Sequence, residues 1–194
     1  MARLRKGVAY RRLERPYTRK SKFKAKNFVR ATPSNKIVRY DMGDPKKDYE
    51  LTLNLVSKDD IQVRHNAIEA ARQTSNRALE KNLGKNAYHL KIRVYPFHVL
   101  RENPLATGAG ADRMSTGMKM SFGKPIGLAA QVRKGQVLMT LRCNRSALKT
   151  AKLALTRAAR KLPCSCRIEE VVEKKAASSS LPEAQPEQSQ EAEA

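Results

Sequence analysis

Positive charge, and where it sits, limits this chain more than any other feature. Its 194 residues carry 40 Lys+Arg against 18 Asp+Glu, a formal net charge of +22. A compact state with that excess repels itself unless a polyanion neutralises it. The placement is lopsided. Residues 1–39 hold 14 Lys/Arg and a single acid, Glu14, whereas residues 173–194 hold five Glu and two Lys. Without that tail, residues 1–172 carry +25. Phosphate matches such a surface, because each Lys or Arg that meets one releases condensed counterions.

A membrane is the competing polyanion. No run approaches the ~20 apolar residues of a spanning helix, and the basic N-terminus lacks the apolar stretch of a secretory signal. Cys143, Cys164 and Cys166 then read as free thiols in a reducing compartment, which points to the cytoplasm and to no membrane partner. The length suits one domain with tails.

Residues 1–36 show little apolar periodicity, and Tyr10, Tyr17, Phe23 and Phe28 are scattered among Arg and Lys. Such a stretch is either a solvated arm or an extension that folds against RNA with its aromatics on bases. The concentration of charge favours the second. The RNA contacts expected here are Arg3, Arg5 and Lys6, then Arg11, Arg12 and Arg15, then Arg19, Lys20, Lys22, Lys24 and Lys26.

The globular part is expected over residues 37–172. Ile37-Val38-Arg39-Tyr40 reads as a short strand closed by Gly43-Asp44-Pro45. Tyr49, Leu51, Leu53 and Leu55 alternate with polar residues, as in a strand with one buried face. Ser57 and Asp60 resemble a capping box opening a helix over 59–83, with Gly84 as its stop. Tyr88, Leu90, Ile92 and Val94 alternate as another half-buried strand ended by Pro96. Two strands over 126–133 and 136–142, joined at Lys134-Gly135, read as a hairpin. A second helix is expected over 145–162 before Pro163, and a closing strand over 166–172. This order favours an α+β fold, a two-layer α/β sandwich, over a doubly wound parallel sheet. Residues 173–194, rich in Ala, Ser, Glu, Gln and Pro, read as a disordered acidic tail.

No catalytic or cofactor site emerges. Gly108-Ala109-Gly110-Ala111-Asp112-Arg113 superficially resembles a dinucleotide fingerprint, but Arg113 stands where the third glycine belongs, and Lys124 precedes Pro125 where a P-loop needs Ser or Thr. Cys164-Ser165-Cys166 has one residue between its thiols, fewer than structural zinc sites use. His65, His89 and His98 have no nucleophile at an interpretable spacing, and Asp59-Asp60 and Glu169-Glu170 sit at a helix start and beside the tail. The chain is therefore expected to be no enzyme, with no cofactor, no metal and no small-molecule substrate.

Two other features bear charge. A loop of roughly 25 residues between strands is usually functional or disordered, and here Arg113, Lys119 and Lys124 sit among glycines that let backbone approach backbone. The second helix has Lys149, Lys152, Arg157, Arg160 and Lys161 opposite its apolar stripe; of these Lys149, Lys152 and Arg160 are the expected RNA contacts. With Lys91, Arg93 and Arg101, these features suggest one composite surface meeting phosphates of folded RNA.

Pro96-Phe97-His98-Val99-Leu100-Arg101-Glu102-Asn103, Ala109-Gly110-Ala111-Asp112-Arg113, Thr116-Gly117-Met118 and Phe122-Gly123-Lys124-Pro125 together resemble a known family. It is the large-subunit ribosomal protein family called ten-e in archaea and eukaryotes, equivalent to bacterial protein sixteen. The resemblance also takes in Arg15-Pro16-Tyr17, Lys36-Ile37-Val38, Glu69-Ala70-Ala71-Arg72 and Gly135-Gln136-Val137, covers residues 1–172, and looks archaeal.

The resemblance implies a hammerhead-type α/β domain on large-subunit ribosomal RNA (the 23S molecule, with 5S RNA nearby). It implies a place near the base of the central protuberance, beside the aminoacyl-tRNA channel, with neighbouring ribosomal proteins and tRNA as partners. The loop at 102–122 would face tRNA and the peptidyl-transferase region through Gly108, Gly110, Asp112, Arg113, Thr116, Gly117, Met118, Lys119 and Lys124. It also implies late entry into the subunit and a part in tRNA accommodation. One departure stands out: Lys119-Met120-Ser121 replaces the family's usual Arg-Gly-Ala. A free-standing RNA or DNA chaperone, or a chromatin-type protein, is the competing function, since it would share the charge without needing this loop.

Overall fold

Leu51, Leu53 and Leu55 point to one side of a strand and are all buried, and the main layer is built around them. The computed structural model describes residues 6–15, 23–26, 31–102 and 123–171. The described elements run β1 (Asp41–Gly43), β2 (Leu51–Ser57), β3 (Ile61–Arg64), α1 (His65–Leu83), β4 (Tyr88–Ile92), β5 (His98–Glu102), β6 (Lys124–Val132), β7 (Val137–Cys143), α2 (Leu148–Ala159) and β8 (Cys166–Val171). Five strands in the order β1-β4-β7-β2-β8 form one sheet, and β3-β6-β5 form a second. Every strand pairing is antiparallel.

Cross-strand partners share a face of a sheet. Met42 with Leu90, Leu53 with Leu141 and Leu55 with Met139 therefore line the face under the two helices. The opposite face is polar: the Thr140 hydroxyl donates to Asn54 Oδ1 at 2.9 Å, and the His89 ring meets Asp41 at 3.2 Å. Helix α1 packs along α2 through small side chains, since Ala71, Ser75 and Ala78 on one and Ala151, Ala154 and Ala158 on the other are buried. Small residues there let the helix axes approach closely. This is the α+β, two-layer arrangement the element order predicts.

The structure corrects several local expectations. Residues 37–40 are not a strand; β1 begins at Asp41. The N–H groups just before it are taken by side chains, Lys36 donating to His65 Nδ1 (3.4 Å), Ile37 to Asn35 Oδ1 (3.1 Å) and Val38 to Glu69 Oε2 (3.3 Å). A ladder needs those donors. Glu69 can accept because Arg72 holds it at 2.7 Å; burial alone would raise its pKa, but bonds from Arg72, Gln73 and Val38 outweigh that and lower it.

The first helix starts at His65, not at 59. Ile61 and Val63 alternate with Gln62 and Arg64, and that four-residue strand is too short to overcome the helical spacing of the apolar residues that follow. The Ser57 hydroxyl donates to the Asp59 carbonyl and accepts from the Asp59 N–H, closing a turn instead of capping a helix. Strand β5 also lies beyond what was expected, its pattern blurred by a register shift between Leu100 and Arg101.

Lys134-Gly135 does not close a hairpin. Strands β6 and β7 belong to different sheets, and the turn is stitched to the end of β2, with Gly135 N–H donating to Ser57 O (2.8 Å) and Ser57 N–H to Gln136 O (3.0 Å). The acidic tail lies outside the described residues, as does position 172.

Candidate RNA interface

Strand β3 is an edge strand, so one row of its backbone groups faces away from β6. The basic arm covers that edge. Gln62 N–H donates to Arg11 O at 3.0 Å, and its side-chain amide donates to Tyr10 O at 3.1 Å. Gln131, paired across the ladder with Gln62, donates to Glu14 O at 2.5 Å. The Tyr10 hydroxyl reaches Glu102 Oε2 at 3.0 Å, and the Arg64 guanidinium lies 5.7 Å from the Tyr10 ring centroid. These contacts hold backbone, which leaves the side chains of Lys6, Arg11, Arg12 and Arg15 exposed. A peptide pinned by its carbonyls with arginines turned outward suits phosphate binding.

The glycine-rich loop grows from the tip of an antiparallel pair. Strands β5 and β6 stay paired past the register shift as far as Glu102 opposite Lys124, so the residues that flank the loop 103–122 lie side by side. Lys124 is exposed at that root. Glu102 also binds Tyr10, and this ties arm and loop root to one small sheet.

Helix α2 belongs to the other layer. Its buried positions Ala151, Ala154, Leu155 and Ala158 face the sheet and α1, while Lys149, Lys152, Arg157 and Arg160 are exposed. Lys152 is not an uncommitted cation, because Glu170 of β8 pairs with its ammonium. Lys91 is likewise 3.6 Å from Asp41, and Arg101 is half-buried in β5. Arm and loop root are thus brought together, whereas the helix contributes from elsewhere.

Of the remaining expected contacts, Arg3, Arg5, Arg19, Lys20 and Lys22 lie outside the described residues, and so do Gly108, Gly110, Asp112, Arg113, Thr116, Gly117, Met118 and Lys119. Lys24 opens a 3-10 turn, Lys24–Lys26, in which the Lys26 ammonium sits 5.1 Å from the Phe23 ring centroid. Sequence reasoning passed over Gln62 and Gln131. The signal was a glutamine inside each of two otherwise apolar runs.

Nothing in the described residues resembles a reaction centre. Burial pushes both His65 and His98 below the usual histidine range; Lys36 and Arg64 reinforce this at His65, whereas at His98 the Glu14 carboxylate opposes it and Arg101 adds to it. No group of three or more His, Cys, Asp or Glu is placed to hold a metal among the described residues, and no described helix is long and apolar enough to cross a membrane.

Fold and surface together define a basic α+β domain with a docked cationic arm and a long loop on a β-hairpin. Comparison with known proteins makes this more specific. The family described as ribosomal protein L16p/L10e matches residues 13–169. A protein of Methanococcus maripaludis (strain S2) named large ribosomal subunit protein uL16 is 46% identical over 166 residues, covering 85% of this chain and 92% of that protein. The protein of the same name from Methanococcus aeolicus is 46% identical over the same length. The chain belongs to the ribosomal protein L16p/L10e family, whose members are structural proteins of the large ribosomal subunit and not enzymes.

Proposed function

We propose that this protein is a structural constituent of the large ribosomal subunit in the cytoplasm, seated on 23S ribosomal RNA near the base of the central protuberance and beside the aminoacyl-tRNA channel. Residues 1–36 act as the RNA-anchoring extension, residues 37–172 as the folded domain, and residues 173–194 as an acidic tail. The arm, through Arg3, Arg5, Lys6, Arg11, Arg12, Arg15, Arg19, Lys20, Lys22, Lys24 and Lys26, anchors the protein with help from Lys149, Lys152 and Arg160 on α2. The loop 102–122 reaches toward tRNA and the peptidyl-transferase region, with Arg113 and Lys124 meeting phosphate. Neighbouring ribosomal proteins, tRNA and, close by, 5S RNA complete the surroundings.

The observation that carries this reading is the joint between arm and loop. Tyr10 binds Glu102, and Glu102 lies opposite Lys124, so RNA gripped by the arm fixes the direction in which the loop leaves the domain. The test is sedimentation of subunits with and without residues 108–118. The full chain is expected to travel with large subunits at low salt and to leave them as salt rises, since the contacts are to phosphate. The deletion is expected to stay bound but to slow tRNA accommodation. A chain found only in the free fraction at low salt, or a deletion without effect on translation, refutes the proposal; the second result is what a general RNA chaperone would give.

A further inference from the structure

The connector between β4 and β5 carries two exposed aromatic rings, Tyr95 and Phe97, backed by Tyr40 at the margin of the core. Tyr40 and Tyr95 stack with ring centroids 5.4 Å apart and planes inclined by 22°, and Phe97 lies 4.6 Å from Tyr95. Tyr95 is 46% exposed and Phe97 66% exposed. Aromatic residues make up only 5% of this chain, so three rings gathered at one surface point are not incidental packing. The group is also pre-positioned. Asn35 Nδ2 donates to the Tyr40 hydroxyl at 2.6 Å, and Ile92 N–H donates to Tyr40 O at 2.8 Å, which fixes the backing ring. Phe97 N–H donates to Tyr95 O at 3.1 Å, a three-residue turn about Pro96, whose own ring is buried. Such a turn holds the two outer aromatics with little freedom left to lose on binding.

Beside these rings is a cleft of about 630 Å³ lined by Arg93, Val94, Tyr95, Phe97, His98, Gln131 and Gln136. That volume lies in the range of small-ligand sites. The Arg93 guanidinium makes no hydrogen bond or ion pair within the described residues, its backbone N–H alone being used, toward Leu138 O. Gln136 accepts from Arg133 N–H through Oε1, and its amide NH2 has no hydrogen-bond partner among the described residues. The lining also includes Gln131, the residue that pins Glu14 of the basic arm.

We propose that this cleft receives one unstacked RNA base, laid on the Tyr95 and Phe97 rings with its phosphate toward Arg93. The inference rests on the RNA-binding reading above and adds a base-stacking subsite to it. Exposed aromatic faces beside a guanidinium are how proteins hold splayed-out bases of folded RNA, because every base has a π-face and is flanked by phosphate. Charge complementarity argues for RNA over a peptide: the cleft is lined by Arg93 and by no acid, and Gln131 in its lining also holds the Glu14 carbonyl of the basic arm.

The test uses the full chain and two short RNAs, one a continuous duplex and one with a single bulged 2-aminopurine. The wild type is expected to bind the bulged RNA more tightly and to quench its fluorescence by stacking. The pair Tyr95→Leu and Phe97→Leu keeps apolar volume but removes the rings. It is expected to weaken binding of the bulged RNA roughly tenfold or more, with no change on the duplex and loss of quenching. Phe97→Tyr, which keeps a ring, is expected to retain both. Both rings are exposed, and an unchanged thermal melt of each variant confirms that the comparison is between folded proteins.

Equal losses on both RNAs, or none on either, overturn the proposal. Wild-type binding to both RNAs with normal salt dependence, and no effect of the leucine pair, sinks the base subsite alone. Failure of the wild type to bind either RNA sinks the RNA reading as well. Subunits carrying the leucine pair that keep their RNA protections but lose a neighbouring protein would show that the rings hold a peptide, and would equally overturn it.

Discussion

At the scale of single residues, Cys164 and Cys166 place their sulfurs 3.5 Å apart, and the proximity splits their chemistry. The hydrogen bond from Cys166 stabilises the Cys164 thiolate against the opposing effect of burial, bringing its pKa down to about 7, and the same contact raises Cys166. Cys143 is different. Burial in the core pushes it up to about 11. The thiolate is the nucleophile, so alkylation rises as pH climbs through the pKa. Iodoacetamide is therefore expected to modify Cys164 first, with a midpoint near pH 7, and to leave Cys143 untouched until the chain unfolds. Cys166→Ala removes the donor and is expected to move that midpoint up toward an ordinary thiol, about 8.5. Mass spectrometry of partly alkylated protein reads both effects, and equal labelling of all three thiols would refute the assignment.

At the scale of elements, β1 is three residues long and depends on one glycine. Gly43 has φ +86°, and a Cβ placed there would stand 1.9 Å from the Tyr88 carbonyl oxygen. It faces His89 in the ladder, and the following Asp44 N–H donates to that same carbonyl at 3.0 Å. Gly84 ends α1 at φ +80° with nothing within 4 Å of such a Cβ. Gly84→Ala should therefore cost only the strain of a backbone region that is essentially glycine's alone (φ +80°, ψ 171°), about 1–3 kcal/mol. Gly43→Ala adds a collision between backbones and is expected to cost about 3 kcal/mol or more, with β1 lost from the sheet edge. Thermal melts give the comparison, and hydrogen exchange at Leu90 and Ile92 reports the fate of β1. Equal costs at the two glycines would contradict the close approach.

At the scale of the whole molecule, the positive surface is divided between two layers. The arm and the loop root are held by the three-stranded sheet, whereas the exposed lysines of α2 sit on a helix packed against the five-stranded one. Charge already neutralised inside the protein releases few counterions when RNA binds. Lys149 makes no ion pair among the described residues, but Lys152 is paired with Glu170. If both meet phosphate, Lys149→Gln should reduce the slope of log affinity against log salt by roughly 0.7–0.9, and Lys152→Gln by clearly less. Filter binding across a salt series measures this. A larger change for Lys152 would mean that the pair with Glu170 opens in the complex.

Period and charge are local properties, and the sequence by itself determined what depends on them: α+β class, both helices, the alternation in β2 and β4, the cationic arm, and the glycine-rich insertion whose residues carry the family resemblance. What depends on partners distant in the chain was decided only by the tertiary structure. Residues 37–40 look like a strand until His65 and Glu69 take the N–H groups of their neighbours. Lys134-Gly135 looks like a hairpin until Ser57 captures the turn and the flanking strands part into two sheets. Gln62 and Gln131 look like stray polar residues until the arm lies across them. In each case a hydrogen bond to a residue between 29 and 117 positions away competes with a local pattern, and a buried donor left without a partner costs more than a propensity is worth.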